Sequence, residues 1–394
     1  DISRRDFING VGIAIGSSLV NESLSSEIIS SQDVPGYYPP KLTGMRGSHP
    51  GSFEAAHLVR DGASFDSVDI YESYDLVIVG AGISGLSAAY FYRENINKNG
   101  KILILDNHDD FGGHAKRNEF SFNGKKIIGF GGTMLLEEPN GYPDIAKQLI
   151  RDLGVDVKRF YKYINRELYS SYNLSRGLFF DKESFGRDHL AVGNDVNERM
   201  LIDAPLSKMA KKDLIRLHNS NKHYLPNIPT DKYYSFLDGI SYQTYLKEYA
   251  NMHDEVIKIM QASTRGVWAI NIDAFPAAAA WVYGYPGFGE LSPSDHEEEL
   301  EEPNIFHFPD GNATIARLLV RNMIPKAASG STMEDIVTSK FDYSELDQSN
   351  SKIKLRLNST VVRALHVNNH LSNEVKISYF RDGEIHAVKT KKCI

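Results

Sequence analysis

Residues 74–85 read YDLVIVGAGISG, and residues 101–106 read KILILD. The first is an apolar run that breaks into Gly80-Ala81-Gly82-Ile83-Ser84-Gly85; the second is an apolar run that closes on Asp106. Continuous Val, Ile and Leu runs of this length predict parallel strands buried on both faces. Between them Leu86, Ala89, Tyr90 and Phe91 share one face of a helix expected over 83–97. Strand, glycine turn, helix and strand make a βαβ unit. Gly80 then permits the tight turn, Gly82 lets backbone approach a pyrophosphate, and Gly85 lets the helix sit close to the strand. The helix N-terminus, with Ile83 and Ser84, faces the phosphates. Asp106 ends the second strand at the distance expected of an acid that accepts hydrogen bonds from both ribose hydroxyls and opposes a 2′-phosphate. The expected cofactor is FAD or NAD, not NADP.

The next stretch, DNHDDFGGHAKRNEF at 106–120, has two readings. His108, Asp109, Asp110 and His114 crowd together as metal ligands do, but their spacing matches neither a helical pair nor a loop cage, and no metal is expected. Gly112 and Gly113 point instead to a backbone that must approach something closely. His114 and Arg117 follow, and a second glycine-rich turn, IGFGGT, comes at 128–133. NAD dehydrogenases usually pass straight into the next helix. This arrangement resembles the flavin-binding amine oxidase group, which selects FAD. The resemblance implies that Gly112 and Gly113 close over the pyrophosphate, with His114 and Arg117 offsetting its charge. It also implies that Gly131, Gly132 and Thr133 line the same extended cofactor, with Asn107 and Val361 in the set. The group usually has arginine where this chain has His114.

The bulk numbers are those of an ordinary globular chain: 394 residues, 41% hydrophobic and 24% charged. A net charge of −7 offers no long-range attraction for nucleic acid or anionic lipid and suits a cationic or neutral small substrate. Cys393 is the single cysteine, which excludes an intrachain disulfide, thioredoxin-type chemistry and c-type haem attachment. No GxSxG turn supports a nucleophilic serine; Ser84 belongs to the phosphate loop.

Five segments are expected. Residues 1–29 contain SRRDFI and a short apolar run, which resemble a twin-arginine signal and imply export to the periplasm without stable membrane insertion; a frayed basic N-terminus is the alternative. Residues 30–73, rich in Pro, Gly and Ser, read as an extended arm through which a homodimer could form. Residues 74–140 begin the cofactor domain. Residues 141–302 read as an inserted, mostly helical substrate domain, with PDIAKQLIRDLG and SYQTYLKEYANM as helices and SDHEEELEE as a solvated loop. Residues 303–394 return to the cofactor domain. There FHFPDGNATIARLLVRNMIP predicts a short strand, a turn and an amphipathic helix with Asp310 or Asn312 as N-cap. IKLRLN, STVVRALHV, EVKISYF and EIHAVKT then predict an antiparallel meander.

Four segments together resemble the bacterial spermidine dehydrogenases: LTGMRGSHPGSFEAAH, YDLVIVGAGISGLSAAYFYRE, LILDNHDDFGGHAKRNEF and FHFPDGNATIARLLVR. The implied fold is α/β, a Rossmann-like FAD-binding domain of the amine oxidase type with the helical insertion. The implied activity is oxidation of a polyamine such as spermidine to an aminoaldehyde and diaminopropane. It comes with a noncovalent haem b and an electron acceptor other than dioxygen. His49 is the implied haem ligand and His57 its rival. Asp273, an acid in the apolar stretch VWAINIDAFPAAAAW, is a candidate for binding substrate ammonium groups or for capping the next helix. His307 and Asp310 are catalytic candidates beside the flavin, or plain turn and cap residues. The enzymes of this group continue past KTKKCI with a further glycine segment and aromatic residues at the ring. The chain is therefore expected to be part of a longer protein or truncated. Other FAD oxidoreductases on this scaffold and a non-catalytic remnant are the competing readings.

Overall fold

The computed structural model describes residues 31–42, 53–63, 69–289, 306–367 and 373–394. The signal-like segment, His49 and the acidic run at 294–302 lie outside them. The chain divides into two units, Asp1–Tyr163 with Pro303–Ile394, and Ile164–Glu302.

In the first unit the apolar run at 74–80 forms a parallel strand over Leu76–Val79, and Tyr74 ends a separate strand before it. β1 (Ile70–Tyr74) and β2 (Leu76–Val79) part at Asp75, whose carboxylate accepts from Lys101 N–H at 2.8 Å and Lys391 Nζ at 2.7 Å. β2 pairs in parallel with β3 (Ile102–Leu105), in register from Leu76↔Ile102 to Val79↔Leu105. Leu76, Val77, Ile78 and all of β3 are at most 1% exposed, each burial contributing roughly 1.5–3 kcal/mol. Helix α1 (Ile83–Asn95) lays Leu86 and Ala89, both fully buried, toward this sheet. After β3 come β4 (Arg117–Phe122) and β5 (Lys125–Phe130), an antiparallel hairpin turning at Asn123-Gly124.

The third parallel strand comes from the stretch expected to open the meander. β6 (Ile353–Arg356) pairs in parallel with β3 and does not join the meander. Arg356 is buried because Glu72 and Asp347 pair with it at 2.7 and 2.6 Å, and Lys354 Nζ lies 3.7 Å from Asp347. On the other edge, Val77 and Val79 donate to the carbonyls of Lys392 and Ile394, which run parallel to β2. The meander is β7 (Thr360–His366), β8 (Val375–Arg381) and β9 (Glu384–Thr390), antiparallel, with β1 added in parallel to β9.

Helix α2 (Ala313–Met323) is not amphipathic in place: ten of its eleven residues are buried. Two of them are arginines four residues apart. Arg317 donates to the Ile336 and Ser339 carbonyls, and Arg321 to Asp335 and the Thr332 carbonyl. Phe306 makes only a bridge to Leu136 where a strand was expected. The arm is not merely extended either. It forms turns at Ser31–Asp33 and Pro39–Lys41 and a helix at Glu54–Arg60. Fully buried Gln32 donates to the Leu355 carbonyl and accepts from Leu357 N–H.

The second unit holds short helices, among them Lys208–Asn219, Asp254–Met260 and Ala277–Val282, and a hairpin of Gly177–Phe180 with His189–Val192. Its core is aromatic and aliphatic: Tyr245 stacks on Phe288 at 4.5 Å, and Leu214, Leu217, Leu246 and Ile272 are buried with them. Ser207 caps Lys208–Asn219 by accepting from Ala210 N–H. The unit begins at 164, not 141. Helix Asp144–Asp152 belongs with the first unit, where Asp152 accepts from Tyr90 OH at 2.9 Å and Phe160 stacks on Phe306 at 5.4 Å.

Candidate functional site

The glycine turn is tied to the strand ends by hydrogen bonds. Gly80 N–H donates to the Leu105 carbonyl at 2.7 Å, and Ala81 N–H donates to Asp106 Oδ2 at 2.6 Å. A Cβ on Gly85 would stand 2.0 Å from the Gly80 carbonyl oxygen, so only glycine lets α1 close on the turn. Gly82 is the N-cap of α1 and offers no side-chain acceptor. The first-turn N–H groups of a helix lack intrahelical partners, so an anion is the natural complement here.

Gly112 and Gly113 come back onto this turn. Gly112 N–H donates to the Ala81 carbonyl at 2.8 Å, and Gly82 and Gly112 form a parallel bridge. Both glycines have positive φ, 101° and 60°, and a Cβ on Gly113 would lie 3.0 Å from Gly82 Cα. Two sequence-distant glycine turns thus meet backbone to backbone. His114 follows, and its ring occupies the space that a Cβ on Gly132 would need. Thr133 adjoins Gly132, and Asn312 N–H donates to the Thr133 carbonyl at 3.3 Å. Thr133 Oγ1 and Asn312 Oδ1 are buried without a hydrogen-bond partner among the described residues. From Asp106 through Gly82, Gly113, His114 and Gly132 to Thr133 the contacts form one continuous track, as an extended dinucleotide requires. Asn312 was read only as an N-cap; its side chain caps nothing and donates to the Leu135 carbonyl.

Asp106 is 4% exposed. Burial pushes its carboxyl up, but hydrogen bonds from the His108 ring, His108 N–H and Ala81 N–H outweigh that and hold it below the usual carboxylate range. Half-buried Asn107 follows it, and Ser359 N–H donates to the Asp106 carbonyl at 2.8 Å. Two residues on, Val361 packs against the cluster of Val77, Leu105 and Ile377. The crowded acids and histidines go separate ways: His108 to Asp106, Asp110 to Tyr343 OH at 2.6 Å, Asp109 to Lys116 at 3.7 Å. Among the described residues no group of three or more His, Cys, Asp or Glu is placed to hold a metal.

Arg117 has a different place from the one expected. It is 2% exposed and donates to Asp310 Oδ2 at 2.7 Å and Glu119 Oε1 at 2.9 Å. Tyr38 OH also donates to Glu119, and Arg317 lies 3.8 Å from Asp310. Burial opposes the charge on Arg117, but Asp310 and Glu119 raise its pKa overall. Burial lowers the pKa of Arg317, and the Arg117 charge pushes it the same way. Asp310 accepts from Thr314 Oγ1 as well, so it anchors this network instead of facing a reactant. His307 is exposed, its Nδ1 3.0 Å from the Phe308 carbonyl. Asp273 is exposed too, so the burial cost that singled it out does not arise, and the next helix is capped by Pro276 without a side-chain bond. His57 is exposed on its helix, 5.4 Å from the Phe53 ring.

Residues 78–153, which include α1, β3 and both glycine turns, match the model of NAD(P)-binding Rossmann-like domains. Among solved structures the chain is similar to a putrescine oxidase bound to putrescine, at 15% identity and a TM-score of 0.34, over 82% of this chain and 57% of that one. It is similar to a Rab GDI from Plasmodium falciparum, at 15% identity and a TM-score of 0.36, over 82% and 65%. It is also similar to a CLA-producing fatty acid isomerase from P. acnes, at 14% identity and a TM-score of 0.34, over 82% and 59%. The chain spans less than two thirds of the length of each. Its fold is mixed α/β, built on a Rossmann-like dinucleotide-binding domain.

Proposed function

We propose that the chain binds FAD and forms the cofactor-holding part of an oxidoreductase of the amine oxidase type, acting on a polyamine such as spermidine. The observation that carries the reading is the backbone apposition of Gly112–Gly113 on Gly82, with Asp106 at the strand end beside it. The glycine turn and the N-terminus of α1 hold the pyrophosphate. Gly113 closes over it, and His114 supplies the neighbouring polar group. Asp106 has acceptor capacity left for ribose hydroxyls after its bonds to Ala81 and His108. Thr133 Oγ1 and Asn312 Oδ1 offer a donor and an acceptor at the other end of the track.

A flavin bound here supplies a hydride acceptor for a carbon next to an amine nitrogen. The resulting imine is hydrolysed by water to the aminoaldehyde and diaminopropane. The net charge of −7 favours a cationic substrate. The motif resemblance also supports export to the periplasm by the twin-arginine route and transfer of electrons to an acceptor other than dioxygen through haem b. His49 is the proposed haem ligand.

Absorption spectra of the purified chain test this reading. Flavin bands that bleach anaerobically on adding spermidine are expected. Flavin bands that spermidine leaves unchanged would move the reading to another substrate class, and no bound flavin would remove it.

A further inference from the structure

The first unit has a cavity of about 310 Å³ at the opposite end of the parallel sheet from the glycine turns. It is bounded by the start of β6, by Gly100 two residues before β3, and by the C-terminal ends of α1 and α2. Around it stand Arg93, Lys98, Lys326 and Lys352, against one carboxylate, Glu345. In a chain of net charge −7 this is a local reversal of sign. Arg93 is held by Glu94 and the Asn322 carbonyl, and Lys352 donates to Asn99 Oδ1 at 2.7 Å. Lys98 and Lys326 have no ion-pair partner among the described residues. Cations beyond a helix C-terminus complement its dipole, which accounts for Lys98 and Lys326 singly. It does not account for their convergence with Lys352, which precedes a strand. Cationic side chains lining one concavity give it a positive local potential, which favours an anion there. Ile324, Pro325 and Ile353 give the cavity an apolar wall, and its volume is at the lower end of the roughly 300–1,000 Å³ typical of ligand pockets.

We propose that this cavity binds a compact multivalent phosphate anion, no larger than a nucleoside diphosphate, through Lys98, Lys326 and Lys352. The inference is independent of the flavin reading. Pyrophosphate is the probe, titrated calorimetrically into the chain at physiological salt with FAD in excess. The expected result is saturable binding that weakens about tenfold or more in Lys98→Ala/Lys326→Ala. FAD uptake should be unchanged, since both lysines are exposed and line a cavity away from the glycine turns. Lys352→Glu should weaken binding further. Absence of pyrophosphate binding overturns the proposal, as does equal binding by the double variant. Binding that survives the double variant but is lost in Gly113→Val belongs to the glycine turns, and the proposal falls.

Discussion

Asp106 ties the glycine turn to the strand end through its own carboxylate, so its charge matters to folding as well as to ribose. Its folded pKa lies below the ordinary value of 3.8. The stability it contributes is therefore complete above that value and is lost as pH falls through the folded pKa. Asp106→Asn should destabilise the chain by about 2 kcal/mol near neutral pH and flatten the acid limb of its stability profile, measured by urea titration across pH. Arg117 makes a sharper case. Arg117→Ala leaves Asp310 and Glu119 buried with too little positive charge, and should cost about 3–5 kcal/mol. Arg117→Met with Asp310→Leu should cost less than the sum of the single changes, and additive costs would show that the two do not couple. None of this network was legible, because Arg117 and Asp310 are far apart in sequence and an arginine after two glycines fits a phosphate contact equally well. Asp273 erred the other way: apolar neighbours along the chain do not bury a side chain that the local turn directs outward.

At the scale of elements, the βαβ unit could be read because each of its parts repeats one message. Apolar runs, a glycine turn and a helical face all require the same packing, and the observed helix ends only two residues before the expected limit. β6 could not be read, since its alternating charges imitate a half-exposed strand until Glu72 and Asp347 are seen to pair with Arg356. Hydrogen exchange separates the two assignments. The amides of Ile102–Leu105 and Ile353–Arg356 should be protected together, with opening energies near the global value, whereas a meander strand would exchange with β7 and β8. Gly85→Ala tests the contact between α1 and the glycine turn. The 2.0 Å approach to the Gly80 carbonyl must open, at a cost of about 1–3 kcal/mol in the denaturation midpoint.

At the scale of the molecule, Phe180, Leu214, Tyr242, Tyr245 and Ile272 give Ile164–Glu302 a hydrophobic core of its own. Residues 164–302 expressed alone should unfold cooperatively, and a broad, gradual melt would show that this core depends on the rest of the chain. The helical turns at Tyr242–Thr244 and Tyr245–Tyr249 were legible in SYQTYLKEYANM. The starting point of this unit was not, because the packing of Phe160 on Phe306 joins residues that the sequence separates widely. The central proposal is that Gly112–Gly113 and the Gly80–Gly85 turn together hold a dinucleotide. Fluorescence titration of FAD into the wild-type chain and Gly113→Val, alongside their thermal melts, tests it most directly. Saturable binding by the wild type and a loss of about a hundredfold in a variant that still folds is the predicted result. Absence of binding by the wild type, or equal binding by the folded variant, would contradict it.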